Sequence, residues 1–173
     1  MKRILLFSFG TSFLLIGLVV LFLAVGYFQE PKFHSETSEW LKAEPEDIWN
    51  YIIDIRDLPN RRKEVVAIKI LETKPDGTVT KWEETPDMGG YMIFELRESI
   101  PNKLWKIELT DASFKMRGSW TYTLEPKIPG TVVTITEDSE ITSIPVRGAY
   151  FLAGRDATLQ KEMELIHNRF SGR

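Results

Sequence analysis

The chain contains no cysteine. That excludes disulfides, thiol catalysis, iron–sulfur clusters, Cys-ligated zinc and acylation at a lipoprotein cysteine. Histidine is nearly absent too: His34 and His167 stand far apart, off metal-ligand spacing, with no third ligand in view. No phosphate loop, dinucleotide fingerprint, G-x-S-x-G or H-E-x-x-H motif occurs. Neither a catalytic residue, a metal nor a cofactor is therefore expected, and whether the chain is an enzyme stays open. Net charge is −3 with no basic stripe, which argues against nucleic acid as a partner. Internal repeats and low-complexity tracts are missing as well.

Charge is also missing from one long stretch, Ile4 to Phe28, which follows Lys2 and Arg3. As a helix it reaches about 37 Å at ~1.5 Å per residue, enough for a hydrocarbon core of roughly 30 Å. The cations before it place that end in the cytoplasm and the rest of the chain outside. The expected organisation is a cytoplasmic terminus (1–3), a single transmembrane helix (4–28), a linker (29–32) and one domain (33–173). Ala24-Val25-Gly26 resembles a cleavage site, so a signal peptide is the competing reading; an apolar run this long favours a retained anchor.

What remains has a globular composition: 43% hydrophobic, 27% charged and 12% aromatic, with five tryptophans. His34 to Ala43 reads as a strand. Pro45, Glu46 and Asp47 open a helix carrying Ile48, Ile52 and Ile55 on one face. A short helix or turn near Arg61 to Glu64 follows. Six strands come next: Val65–Glu72, Thr78–Glu84, Tyr91–Glu98, Leu104–Thr110, Lys115–Glu125 and Thr131–Ile141, separated by turns such as Pro75-Asp76-Gly77 and Asp87-Met88-Gly89-Gly90. One long helix, Pro145 to Phe170, closes the chain. Its stripe of Leu152, Leu159, Met163, Ile166 and Phe170, with Ala149 and Asp156, needs a surface to cover. Strands segregated from helices define an α+β domain: a curved antiparallel sheet of about seven strands wrapped on a long C-terminal helix.

Strand alternation assigns the inward face. It carries Trp82, Met92, Phe94, Trp105, Trp120 and Tyr122, and it brings Glu84 and Glu137 inward with them. A buried carboxylate is costly without a partner, so these two acids are the most function-like feature of the sequence. A one-residue register error or a position on an open rim are the alternatives. Asp156, Leu159 and Met163 come from the helix side, completing a candidate cavity lining with the eight residues above. Glu84, Glu137 and Asp156, with Arg147 or Arg155 nearby, form a candidate acid/base set if they meet.

The order of several pieces resembles the START-like, helix-grip (SRPBCC) superfamily of polyketide cyclases and dehydrases. These are Ala43-Glu44-Pro45-Glu46-Asp47-Ile48-Trp49, Leu58-Pro59, Gly89-Gly90, Pro101-Asn102-Lys103-Leu104 leading to Gly118-Ser119-Trp120-Thr121-Tyr122, then Thr134 to Glu140, and Gly154-Arg155-Asp156-Ala157-Thr158. The resemblance covers His34 to Phe170. One departure is Arg61, where similar proteins often carry Trp. The resemblance implies a cavity between sheet and last helix that takes lipid- or polyketide-like molecules, and it implies no catalysis. Three readings follow: a membrane-anchored binding domain for a small apolar ligand, a structural or interaction protein with a filled core, and a cyclase- or dehydratase-type enzyme. No protein partner is identifiable.

Overall fold

In the computed structural model the backbone is described for residues 2–171 and side chains for residues 14–171. Helix α1 (Lys2–Phe28) leads into β1 (Lys32–Leu41), then α2 (Pro45–Ile53), a 3-10 turn (Ile55–Asp57) and α3 (Leu58–Arg61). Six strands follow: β2 (Val65–Thr73), β3 (Val79–Pro86), β4 (Met92–Ile100), β5 (Leu104–Ala112), β6 (Met116–Lys127) and β7 (Gly130–Ile141). Helices α4 (Ile144–Ala153) and α5 (Ala157–Phe170) end the chain.

All seven strands join one antiparallel sheet in the order β1-β7-β6-β5-β4-β3-β2. Register shifts between Ile70 and Glu72, Ile93 and Phe94, and Leu96 and Glu98 bend the β2–β5 half, because a bulge adds local twist. The alternation holds. Trp105, Ile107 and Leu109 are buried on β5, and Met116, Trp120, Tyr122 and Leu124 on β6, while their neighbours face outward. Against this face lie Ile48, Trp49 and Ile52 of α2 and Leu159, Met163, Ile166 and Phe170 of α5.

The single long C-terminal helix is not formed. Gly154, at φ 92°, ends α4, and the chain restarts at Ala157. A positive φ suits glycine and stops helical hydrogen bonding. The seven-residue step from Leu152 to Leu159 therefore crosses a break, and the stripe does not continue through it. Leu152 is 66% exposed, and Ala149 and Asp156 are also exposed. The chain around Arg61 also differs from a pocket lid. Its guanidinium donates to the carbonyls of Tyr51 and Asp54 and lies over the Tyr51 ring, closing the C-terminal end of α2.

Helix α4 packs on the end of α1. Gly26 lies so close to it that an added Cβ would overlap the Ile144 carbonyl oxygen, and Gly148 approaches Phe22. Among the described residues no helix is long and apolar enough to cross a membrane. The first part of the expected span, residues 4–13, lies outside the described side chains. From Leu14 to Leu21 the described apolar side chains of α1 are exposed, as are Tyr27 and Phe28.

Ile166 is fully buried at the centre of the α5 contact. Ile166→Ala should cost about 2–5 kcal/mol of stability through lost burial and a residual cavity. The urea midpoint should fall accordingly; an unchanged midpoint would show that α5 does not hold the sheet.

Candidate functional site

The sheet, the first turn of α5 and the β3–β4 turn enclose a cavity of about 410 Å³. Its apolar wall comes from Met92 and Phe94 on β4, Ile107 on β5, Met116, Trp120 and Tyr122 on β6, Ile135 on β7, and Leu159 on α5. Along the same face of the sheet the aromatic side chains form a ladder. Trp82 stacks on Phe94 at 5.5 Å and on Trp105 at 6.1 Å, Trp105 tilts onto Tyr122, and Phe94 meets Trp120 edge-on. Such pairs contribute about 0.5–1.5 kcal/mol each beyond their buried area, so the wall is stiff.

One side of the cavity is polar. Arg62, directly after α3, points its guanidinium at Glu162 of α5, 3.8 Å away. Glu84 projects inward from β3, 4% exposed, and accepts a 3.0 Å hydrogen bond from the Trp82 indole. Burial pushes the Glu84 carboxyl above its ordinary range, against the pull of Arg62 and Trp82. Burial would lower the Arg62 guanidinium, but Glu162, Glu84, Tyr122 and Glu64 outweigh it, and it is held as a cation. Burial also holds the Tyr122 phenol well above its usual range, so it remains a neutral donor. At the rim Lys161 bridges to Glu64 at 2.7 Å, and the second Glu64 oxygen is buried without a hydrogen-bond partner.

The structure brings Glu84, Met92, Phe94, Trp120, Tyr122 and Leu159 together in the cavity wall. Trp82 and Trp105 lie outside the lining, beside Phe94 and Tyr122 on the same face of the sheet, and Met163 is buried elsewhere along α5. Glu137 is fully buried but lies outside the lining; the Ser139 hydroxyl donates to one of its oxygens at 2.6 Å and the other has no partner. Asp156 is exposed at the α4–α5 corner, so the three acids do not meet. Arg155 is turned away toward Gln29 and Glu30. Sequence reasoning missed the polar side, Arg62, Glu64, Lys161 and Glu162, and the wall residues Ile107, Met116, Ile135 and Tyr150, among others. Glu162 follows Leu159 by three positions, a helical spacing that places it beside the apolar stripe; Arg62 had no such signal, because it sits in a loop.

Among the described residues no three His, Asp or Glu side chains converge as a metal site. His34 bonds Asp138 and His167 bonds Glu39, both away from the cavity.

Burial pushes the Glu137 carboxyl up, and the Ser139 hydroxyl opposes it. A raised folded-state value means that the native protein binds this proton more tightly than the unfolded chain. The stabilisation is complete below the ordinary Glu value of 4.5 and is lost as pH rises through the folded value. Glu137→Gln removes that loss. The melting temperature of the variant, relative to the parent, should rise between pH 4 and pH 8. A difference that is flat with pH would show that Glu137 titrates normally.

The family described as "Polyketide cyclase / dehydrase and lipid transport" matches residues 32–164. No curated protein sequence matches the chain. Solved structures of similar fold include a START superfamily protein from Mycobacterium smegmatis, with a TM-score of 0.66 at 15% identity, covering 80% of this chain and 97% of that one. An aromatase/cyclase from Streptomyces gives 0.67 at 10% identity, covering 80% and 93%. Norcoclaurine synthase from Thalictrum flavum gives 0.60 at 14%, covering 78% and 84%. At these identities the structures share a fold, which is the START-like helix-grip fold expected from the sequence. The match across 32–164, the seven-stranded sheet and the helix closing a cavity on it lead to one assignment: the chain belongs to the polyketide cyclase/dehydrase and lipid transport family.

Proposed function

We propose that the domain is a binding module, tethered by α1, that holds a small neutral amphiphile between the sheet and α5. The observation that carries this reading is the cavity itself: about 410 Å³, walled by aromatic and aliphatic side chains, with a polar cluster on one side. That volume falls within the range of roughly 300–1,000 Å³ common for small-molecule sites. A protein with a filled core would have no such space.

The charges narrow the ligand. Arg62 and Lys161 supply two cations, while Glu64, Glu84, Asp87 and Glu162 supply four acids, and each cation already faces an acid. A carboxylate or phosphate would enter a site with no cation to spare. A hydroxyl or carbonyl would fit, with Arg62 and the Tyr122 phenol as donors and Glu64 as acceptor. The ligand class is thus an apolar skeleton ending in a neutral oxygen.

The tether is the uncharged run from Ile4 to Phe28. Its flanking Lys2 and Arg3 support a cytoplasmic N-terminus, with the domain on the other side of the membrane. An apolar ligand partitions into a bilayer, and an anchored domain stays beside that reservoir.

Glu84 favours a second reading. A buried carboxyl that burial makes a weaker acid, set in a ligand cavity, is a candidate general acid, as expected of a cyclase- or dehydratase-type enzyme. Under that reading Glu84→Gln would leave ligand binding intact and abolish turnover of the bound molecule.

A direct test uses prodan, a neutral fluorescent ketone, and anilinonaphthalene sulfonate, an anion of similar size. Full-length protein should bind prodan in preference. Ile107→Trp, which extends a wall residue into the cavity, should abolish the specific signal at an unchanged melting temperature. Arg62→Met should weaken it about 10- to 100-fold, as expected for a lost hydrogen bond to a charged group of ~1.5–3 kcal/mol. Identical prodan titrations for the parent and Ile107→Trp would refute binding in this cavity.

A further inference from the structure

Strand register defines two ends of the domain. One end carries the start of β1, where Lys32 pairs with Glu140, the start of β6, where Met116 pairs with Ile141, and the start of β4, where Met92 pairs with Ala112. The entry from α1, the exit to α4 and the β3–β4 turn therefore lie at the same end. The β2–β3, β4–β5 and β6–β7 turns lie at the other. Twelve residues of β6 separate the two ends, roughly 40 Å at ~3.3 Å per residue.

The cavity opens at the first of these ends. Its exposed lining residues are Asp87 and Met88 of the β3–β4 turn and Thr158 and Lys161 of α5. The α5 side of this mouth is fixed to α1. Arg155, three residues before Thr158, donates to the Gln29 side chain at 3.1 Å and the Glu30 carbonyl at 3.3 Å. Its guanidinium also lies over the Phe33 ring. Helix α4 is locked across the last turns of α1 by the Gly26 and Gly148 approaches. Only residues 29–31 separate α1 from β1.

This end also displays apolar side chains with nothing packed on them. Phe151 is 46% exposed and Leu152 66%, both on α4, and Met88 at the mouth is 76% exposed. Phe151 and Leu152 stand on the helix that packs on α1, whose own described apolar side chains are exposed, and Met88 lies at the same end of the sheet.

We propose that the partner of this face is the bilayer that holds α1, and that the cavity mouth between the β3–β4 turn and α5 opens onto the membrane surface. This rests on the tethered-binding reading above and deepens it: the ligand exchanges with the lipid phase at the mouth, without crossing bulk water. Continuity with α1 favours a bilayer over a protein partner. The α4 patch begins where α1 ends, and the Arg155 contacts leave no length of free chain to swing the mouth away.

The absence of cysteine makes the test direct. Leu15→Cys, Met88→Cys, Leu152→Cys and Ile128→Cys are each introduced alone into the full chain and labelled with nitrobenzoxadiazole. The proteins are reconstituted into phosphatidylcholine vesicles with and without spin-labelled acyl chains. Labels at 15, 152 and 88 should be quenched several-fold more than the label at 128, which sits in the far β6–β7 turn. Quenching at 15 without quenching at both 152 and 88 would overturn the membrane-facing mouth and leave the tether intact. No quenching at 15 would remove the tether, and this inference with it.

Discussion

A sheet that is apolar on one face must be covered, and in this domain the cover is too small for the sheet. Helix α5 is 14 residues long, about 21 Å at ~1.5 Å per residue, against a sheet seven strands wide. Its stripe of Leu159, Met163, Ile166 and Phe170 seals the part beneath it, and α2 seals another. What remains uncovered lies around the first turn of α5, where Met92, Phe94 and Trp120 face inward with no helix directly above them. The cavity is that shortfall. Its walls do not collapse because the Trp82, Phe94, Trp105 and Tyr122 rings brace one another along the sheet.

The break at Gly154 is the same constraint seen from the helix side. Had α4 and α5 formed one rod, its N-terminal half would have lain along the strand ends and closed the mouth. The positive φ of Gly154 instead lets α4 leave the sheet and pack on α1. A single backbone conformation thereby leaves the cavity open and couples it to the N-terminal helix. The exposed Phe151 and Leu152 are a consequence of that turn away from the sheet.

The sheet was readable in the sequence because alternation over seven to twelve residues is a strong signal, and a one-residue slip would have turned Trp105, Ile107 and Leu109 to solvent. The inward register of Glu84 and Glu137 followed from the same logic, and both are buried. The helix break was not readable. Leu152, Leu159 and Met163 keep helical spacing whether or not the chain bends at Gly154, and periodicity does not report a φ angle. Arg62 and Glu162 escaped for a related reason. A cluster assembled from a loop and a helix, a hundred residues apart, leaves no local pattern. The reading of Asp156 as a cavity residue failed with the continuous helix that it assumed.

Glu84 and Glu137 show why buried acids on one fold need not share one role. Both are raised by burial, both sit on inward positions of edge-side or central strands, and the two differ in what they face. Glu84 looks into the cavity with a cation nearby, so its protonation state is coupled to whatever occupies the space. Glu137 is closed off beside Ser139, outside the cavity lining. A ligand that displaces solvent from around Arg62 and Glu84 would add to the desolvation that already raises the Glu84 carboxyl, and a ligand that draws Arg62 to its own oxygen would remove the pull that opposes it. Both favour the neutral carboxyl, so proton uptake on binding marks a ligand that reaches the polar cluster, whereas a ligand held only by the apolar wall leaves Glu84 as it was.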